Sequence, residues 1–284
     1  MIEESHLSNT EIAKLFEKYM KLRYMPLGVY FSDKKPTGKT RVQHMIFNRC
    51  IVGHAFKAAK YGGSSLIQKD MGCPGGQFWS GFRKTLISGW ALFMTKGRDD
   101  IMGGRAERYK KDVNVAVRMI QDPRPVIQPE GTDFIIYRPI KEIPDDQPIE
   151  FVLFFVNSKK LAKLITLCNY ARHEPYMVSA PAGSGCMSIL NYPLLMKKAP
   201  EPDAVMGVWD LNAIRSLPKN TLSLAFRHWF VEDMAADIPE SFLAHTPPFT
   251  FWGELKLFFN KIKKRLRKGH RVMKKNNRNK NVLI

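Results

Sequence analysis

The sequence predicts an α/β or α+β protein, built on a mixed β-sheet flanked by helices, with a basic amphipathic helix at its C-terminal end. Three observations lead there. Helical apolar periods and short β-branched or aromatic runs are interspersed along the whole chain. The 284 residues are 44% hydrophobic and 11% aromatic, enough for a sizeable core. No repeat recurs at a fixed period, and the apolar runs near 90–94 and 153–156 are far shorter than the roughly 20 residues that span a bilayer. The acidic opening MIEESHLSNTEIAKLF lacks the pattern of a signal or transit peptide, so a cytoplasmic protein is expected.

The elements follow in order. Ile12, Leu15, Phe16, Tyr19 and Leu22 give one apolar face to a helix over 10–24, with Ser8, Asn9 and Thr10 as candidate N-caps. GVYF predicts a strand over 27–31, ended by SDKKPTGK. A helix is expected over 41–60 and is stopped by Gly62 and Gly63, with a short strand at 64–68. Five glycines and prolines between Asp70 and Phe82 break every period, so that stretch reads as a loop. A helix over 105–121 ends at Pro123, Pro125 and Pro129. Strands at 134–137 and 149–156 bracket a turn, and a helix over 158–171 starts at Ser158.

Beyond it come strand-like stretches at 176–180, 204–209 and 221–226. Helical segments are expected after PAGSGC, at 211–217 and at 229–236. The expected organisation is a body over 1–248, with a candidate lobe boundary at 122–132, and a tail over 249–284.

Charge is distributed unevenly. The formal net charge is +19, of which 251–284 contributes +11 through twelve Lys or Arg against Glu254 alone. Within the tail Trp252, Leu255, Phe259, Ile262 and Leu266 recur at three- and four-residue steps, the pattern of an amphipathic basic helix. Such a helix fits an anionic membrane surface over 251–280, in which case the protein is peripheral at the membrane, and fits nucleic-acid phosphates less well. Its plainest role is to pack its stripe on its own domain. No aromatic residue follows Phe259, which weakens base stacking.

The four cysteines form no CxxC pair, which excludes the zinc-finger and ferredoxin signatures. Neither GxGxxG, GxxxxGK[ST] nor HExxH is present. Cys168 falls in register with Leu161, Leu164 and Ile165 and reads as a core residue. Cys73 in GCPGG and Cys186 in GSGC sit on glycine loops, whereas Cys50 lies on the 41–60 helix near Arg49 and His54.

Two chemistries fit. Cys50, Cys73 and Cys186 from separate segments can close around an iron-sulfur cluster of the [4Fe-4S] type, leaving an iron open, with Gly72, Gly75, Gly76 and Gly185 shaping the loops. Alternatively Cys73 or Cys186 is the nucleophile of a thiol-dependent enzyme. The plain alternative is that the glycines only make turns. A redox partner or a small-molecule substrate is implied by the first, and a cofactor-free binding or scaffold protein brought to an anionic surface by the tail is a third possibility.

Taken together, GVYFSDKKP, the helix with Cys50, MGCPGG, FFVNSKKLAKLI, AGSGC and WDLNAIRSLPKNTLSLAF resemble the uncharacterised ArCR family, domain of unknown function 169. The resemblance runs from the first helix to Phe242 and leaves the tail outside. It implies cysteines at positions like Cys50, Cys73 and Cys186 and an iron-sulfur or other metal role for them. It brings no established reaction.

Overall fold

A computed structural model describes residues 7–43, 49–86, 88–121, 126–196, 204–245 and 255–263. Among the described residues eight strands form one mixed sheet: β1 (Leu27–Ser32), β2 (Thr40–Val42), β3 (Ser64–Gln68), β4 (Phe134–Pro139), β5 (Phe151–Val156), β6 (Val178–Ser179), β7 (Ala204–Gly207) and β8 (Leu222–Arg227). Their order is β2-β3-β4-β1-β5-β8-β7-β6. The outermost pairs, β2 with β3 and β6 with β7, are parallel, and the rest are antiparallel.

The helices are α1 (Asn9–Leu15), α2 (Ile51–Tyr61), α3 (Pro74–Trp79), α4 (Trp90–Phe93), α5 (Val113–Gln121), α6 (Ser158–Cys168), α7 (Tyr192–Leu195) and α8 (His228–Asp237). Wider π-turns extend α1 through Met20 and precede α7 over Met187–Asn191. The α1 N-terminus is a reciprocal capping box: the Ser8 hydroxyl accepts from the Glu11 amide while Glu11 accepts from the Ser8 amide. The extension of α1 stops where Lys21 turns left-handed.

Every residue of β5 is buried, as a central strand covered on both faces requires. On one face Phe155 packs edge-on against Phe56 of α2 at 5.4 Å between ring centroids. On the other Phe154 meets Phe16 at 5.3 Å and Phe226 at 5.9 Å, under α1, α6 and α8. The alternation of neighbouring residues between faces follows from the two-residue period of a strand.

Several boundaries differ from the sequence reading, each for a local reason. Arg41 and Val42 belong to β2, so α2 begins only at Ile51, with Cys50 as its N-cap; positions 44–48 of the expected helix lie outside the described residues. Residues 70–82 are not all loop, because α3 forms there with Cys73 as N-cap and Pro74 in its first turn. The helix expected from Arg105 starts at Val113, since Gly103, Gly104 and Arg108 take positive φ. Asn157, not Ser158, caps α6, its side chain accepting from the Lys160 amide. The 211–217 segment contains one short helical turn, Ile214–Ser216.

The chain divides into two compact units, Met1–Asp237 and Ile238–Ile284. Strands on both sides of 122–132 share the sheet; Pro123 and Pro125 lie outside the described residues. In the second unit residues 255–263 are helical, and Leu257, Phe258, Phe259 and Ile262 are exposed. Trp252 and Leu266 of the expected stripe lie outside the described residues. No described helix is long and apolar enough to cross a membrane.

Candidate functional site

Three helix beginnings meet on the face of the sheet that carries α2, and a cysteine stands at each. Cys50 caps α2 and its carbonyl accepts the His54 amide at 3.0 Å. Cys73 caps α3: its Sγ accepts the Gly76 amide at 3.2 Å, and its own amide donates to the Arg49 carbonyl at 3.1 Å, tying the two cysteine segments together. Cys186 precedes the Met187 turn and lies 3.4 Å from the Ser184 hydroxyl, to which its thiol donates. All three lie within electrostatic reach of one another.

The loops holding them are fastened from inside. Gln77 on α3 is buried, donates to the Gln68 carbonyl at 2.8 Å and accepts the Asp70 amide at 2.9 Å, which closes the loop before Cys73. Asp210 accepts from the Gly185 amide at 3.1 Å with one oxygen and from the Asn212 and Ala213 amides with the other. That single carboxylate joins the Cys186 loop to the turn after β7.

The four predicted glycines occupy different positions around the thiols. Gly72 takes a positive φ against the Gln43 side chain. Gly75 lies against Trp90, and Gly76 against Ile51 and the Cys73 sulfur. At Gly185 a Cβ would stand 2.4 Å from Ala213 Cβ and 2.9 Å from Val52 Cγ2, so only glycine lets this loop approach α2. Gln43 Oε1 is buried with no hydrogen-bond partner among the described residues.

Burial pushes the Cys73 thiol up, and the neighbouring Cys50 adds to this against the opposing Gly76 amide and Arg49. Burial raises Cys186 well above its ordinary value, with Cys73 the next cause. Both are therefore protonated at neutral pH in the free protein. Tyr137, fully buried, is also pushed well up by burial and by Cys186; its hydroxyl donates to the Ile189 carbonyl at 3.1 Å. Cys168 stands apart on α6, buried and raised to about 11 by desolvation, with its thiol donating to the Ile165 carbonyl. The Nε2 of the buried His54 donates to the Arg41 carbonyl at 3.0 Å.

Beside the cysteines lies a cavity of about 370 Å³, reached from the Cys186 loop through Gly183 and Ser184 and from α3 through Trp79. Sequence reading missed it, along with Gln43, Gln77 and Asp210. None of them carries a motif; the strands and turns that bring them in are far apart in the chain.

The donor set can be compared with what a metal needs. Among the described residues no three His, Cys, Asp or Glu side chains are placed to share one metal ion. A cluster spreads its thiolates over different irons, so it asks for wider spacing than a single tetrahedral ion. On this chain's side the Gly76 amide donates to the Cys73 sulfur, a bond of the kind that tunes a metal-bound thiolate, and Gly75, Gly76 and Gly185 are packed closely against Trp90, Ile51 and Ala213.

Fold and site define a mixed-sheet α/β protein with cysteines gathered at the starts of three helices. The chain belongs to the uncharacterised ArCR family, domain of unknown function 169, whose profile matches residues 15–236. No curated protein and no solved structure gives a significant match.

Proposed function

We propose that this is a metalloprotein in which Cys50, Cys73 and Cys186 hold an iron-sulfur cluster, serving redox chemistry or the binding of a small molecule. The observation that supports it most is the convergence of three thiols from distant segments, each at the start of a helix. A bound cluster would supply one-electron chemistry or an open iron. The chain's own part is to present the sulfurs, to donate the Gly76 amide to Cys73 and to limit water by packing the partly buried Cys186 against Phe78, Trp79 and Met187. The raised Cys73 and Cys186 thiols weigh against the thiol-enzyme alternative, because an activated nucleophile needs a depressed pKa. They also imply that loading with metal releases protons.

Anaerobic purification and reconstitution should give a brown protein with about four iron and four sulfide per chain. Cys73→Ser should lose most of both, and Cys168→Ser should keep them. A colourless, iron-poor wild type after reconstitution overturns the proposal.

A second reading rests on a separate observation: Phe258 is 58% and Phe259 53% exposed on a basic helix. Such a helix suits an anionic membrane surface, with about 1 kcal/mol from each cation near the lipid headgroups. The full chain should float with vesicles containing phosphatidylserine and not with phosphatidylcholine alone, and a chain ending at Pro248 should stay at the bottom of the gradient. Equal flotation of both chains removes the tail as the anchor; retention of the full chain on nucleic acid instead would favour phosphate binding.

A further inference from the structure

The cavity beside the thiols has a lining with a definite chemical character. Trp79, Trp90, Trp209 and Tyr109 give it an aromatic surface, and Glu107 and Asp210 bring carboxylates into that surface. Its rim leaves apolar area uncovered, with Trp209 39% and Leu211 60% exposed. A pocket of this size and apolar character, with few polar groups, is the usual form of a small-molecule site.

The two carboxylates are not equivalent. Asp210 spends its oxygens on three backbone amides, so it is fixed as part of the frame. Glu107 accepts one hydrogen bond, from Asn212 Nδ2 at 2.6 Å, and no ion pair reaches it among the described residues. Burial raises its pKa against the opposing Asn212 hydrogen bond, and the neighbouring Asp210 carboxylate raises it further; Lys110 is also in the lining. A half-buried carboxyl facing aromatic rings and repelled by a second carboxylate is a site that a cation would relieve.

We propose that this cavity binds a small organic amine, its ammonium group at Glu107 and its apolar body against Trp79, Trp90 and Trp209. Cys50, Cys73 and Cys186 are not among the residues that line it, so the amine site is tested separately from the cluster.

The test uses the full chain as purified, with tryptophan fluorescence and calorimetry as readouts. The probes are phenethylamine, its neutral analogue 2-phenylethanol and the anion phenylacetate. Phenethylamine should bind about tenfold or more tighter than the alcohol, with phenylacetate weakest. Glu107→Gln should bring the amine down to the affinity of the alcohol and leave the alcohol unchanged. Trp209→Leu, at the half-exposed rim and so safe for folding, should weaken amine and alcohol together.

The proposal is overturned if phenylacetate binds as tightly as the amine, which would make Lys110 the selecting charge. It is equally overturned if the gap between amine and alcohol survives Glu107→Gln, or if no probe saturates the wild type. None of these readouts measures iron or sulfide, so failure here leaves the cluster proposal standing, and the reverse holds.

Discussion

Trp79→Ala is expected to lower the stability of the folded state by about 3–5 kcal/mol, read as a shift in the urea midpoint. Trp79 is 2% exposed and among the largest fully buried side chains of the protein. Its ring meets Phe78 edge-on at 4.9 Å and joins the cluster around Met187, and its carbonyl accepts the Val126 amide. Truncation would leave a void that the rigid start of α3 cannot collapse into, because Pro74 and the Gln77 hydrogen bonds hold that helix in place. Trp209→Ala, by contrast, should cost under about 1 kcal/mol, since its ring is partly in solvent already. A Trp79→Ala protein as stable as Trp209→Ala would show that the core is not organised around this residue.

The second large effect is on acid stability. His54 is fully buried, and desolvation, aided by Lys57 and Arg41, lowers its pKa to about 4 against the opposing hydrogen bond to the Arg41 carbonyl. Above pH 6.5 the ring is neutral in both folded and unfolded chains. Between pH 6.5 and about 4 only the unfolded chain takes up the proton, so stability falls as the pH falls and levels off below that window. The expected loss is about 3 kcal/mol across the window. His228, whose pKa burial also lowers, adds in the same direction. Urea titrations at a series of pH values should show the slope, and His54→Asn should flatten most of it. A wild type equally stable at pH 4 and pH 7 would contradict the placement of this histidine.

Much of the sheet could be read from the sequence because its strands are compact β-branched or aromatic runs ended by turn residues. GVYF, FIIY and FVLFFV are of that kind, and they became β1, β4 and β5. Helix α3 was illegible since PGGQFW contains two glycines, each a poor helix former. What forms it is tertiary: Cys73 caps it, Gln77 anchors its loop and Phe78 and Trp79 are buried. The gathering of the cysteines was only half visible. Cys50 and Cys73 stand at the starts of the two helices of one continuous β2-α2-β3-α3 stretch, but Cys186 is brought in by Gly185 lying against Val52 and by Asp210. The amine cavity left no trace in spacing, as Trp79, Trp90, Glu107 and Trp209 come from unrelated stretches.

The position of β1 bears on how the protein is made. This early strand sits inside the sheet between β4 and β5, and Ser32 pairs with Phe134, about a hundred residues further on. During synthesis at about 5–20 residues per second, β1 leaves the ribosome on the order of ten seconds before either neighbour exists. Until then a mostly buried apolar strand has no partner, so nascent chains of this protein are candidates for chaperone capture over that interval.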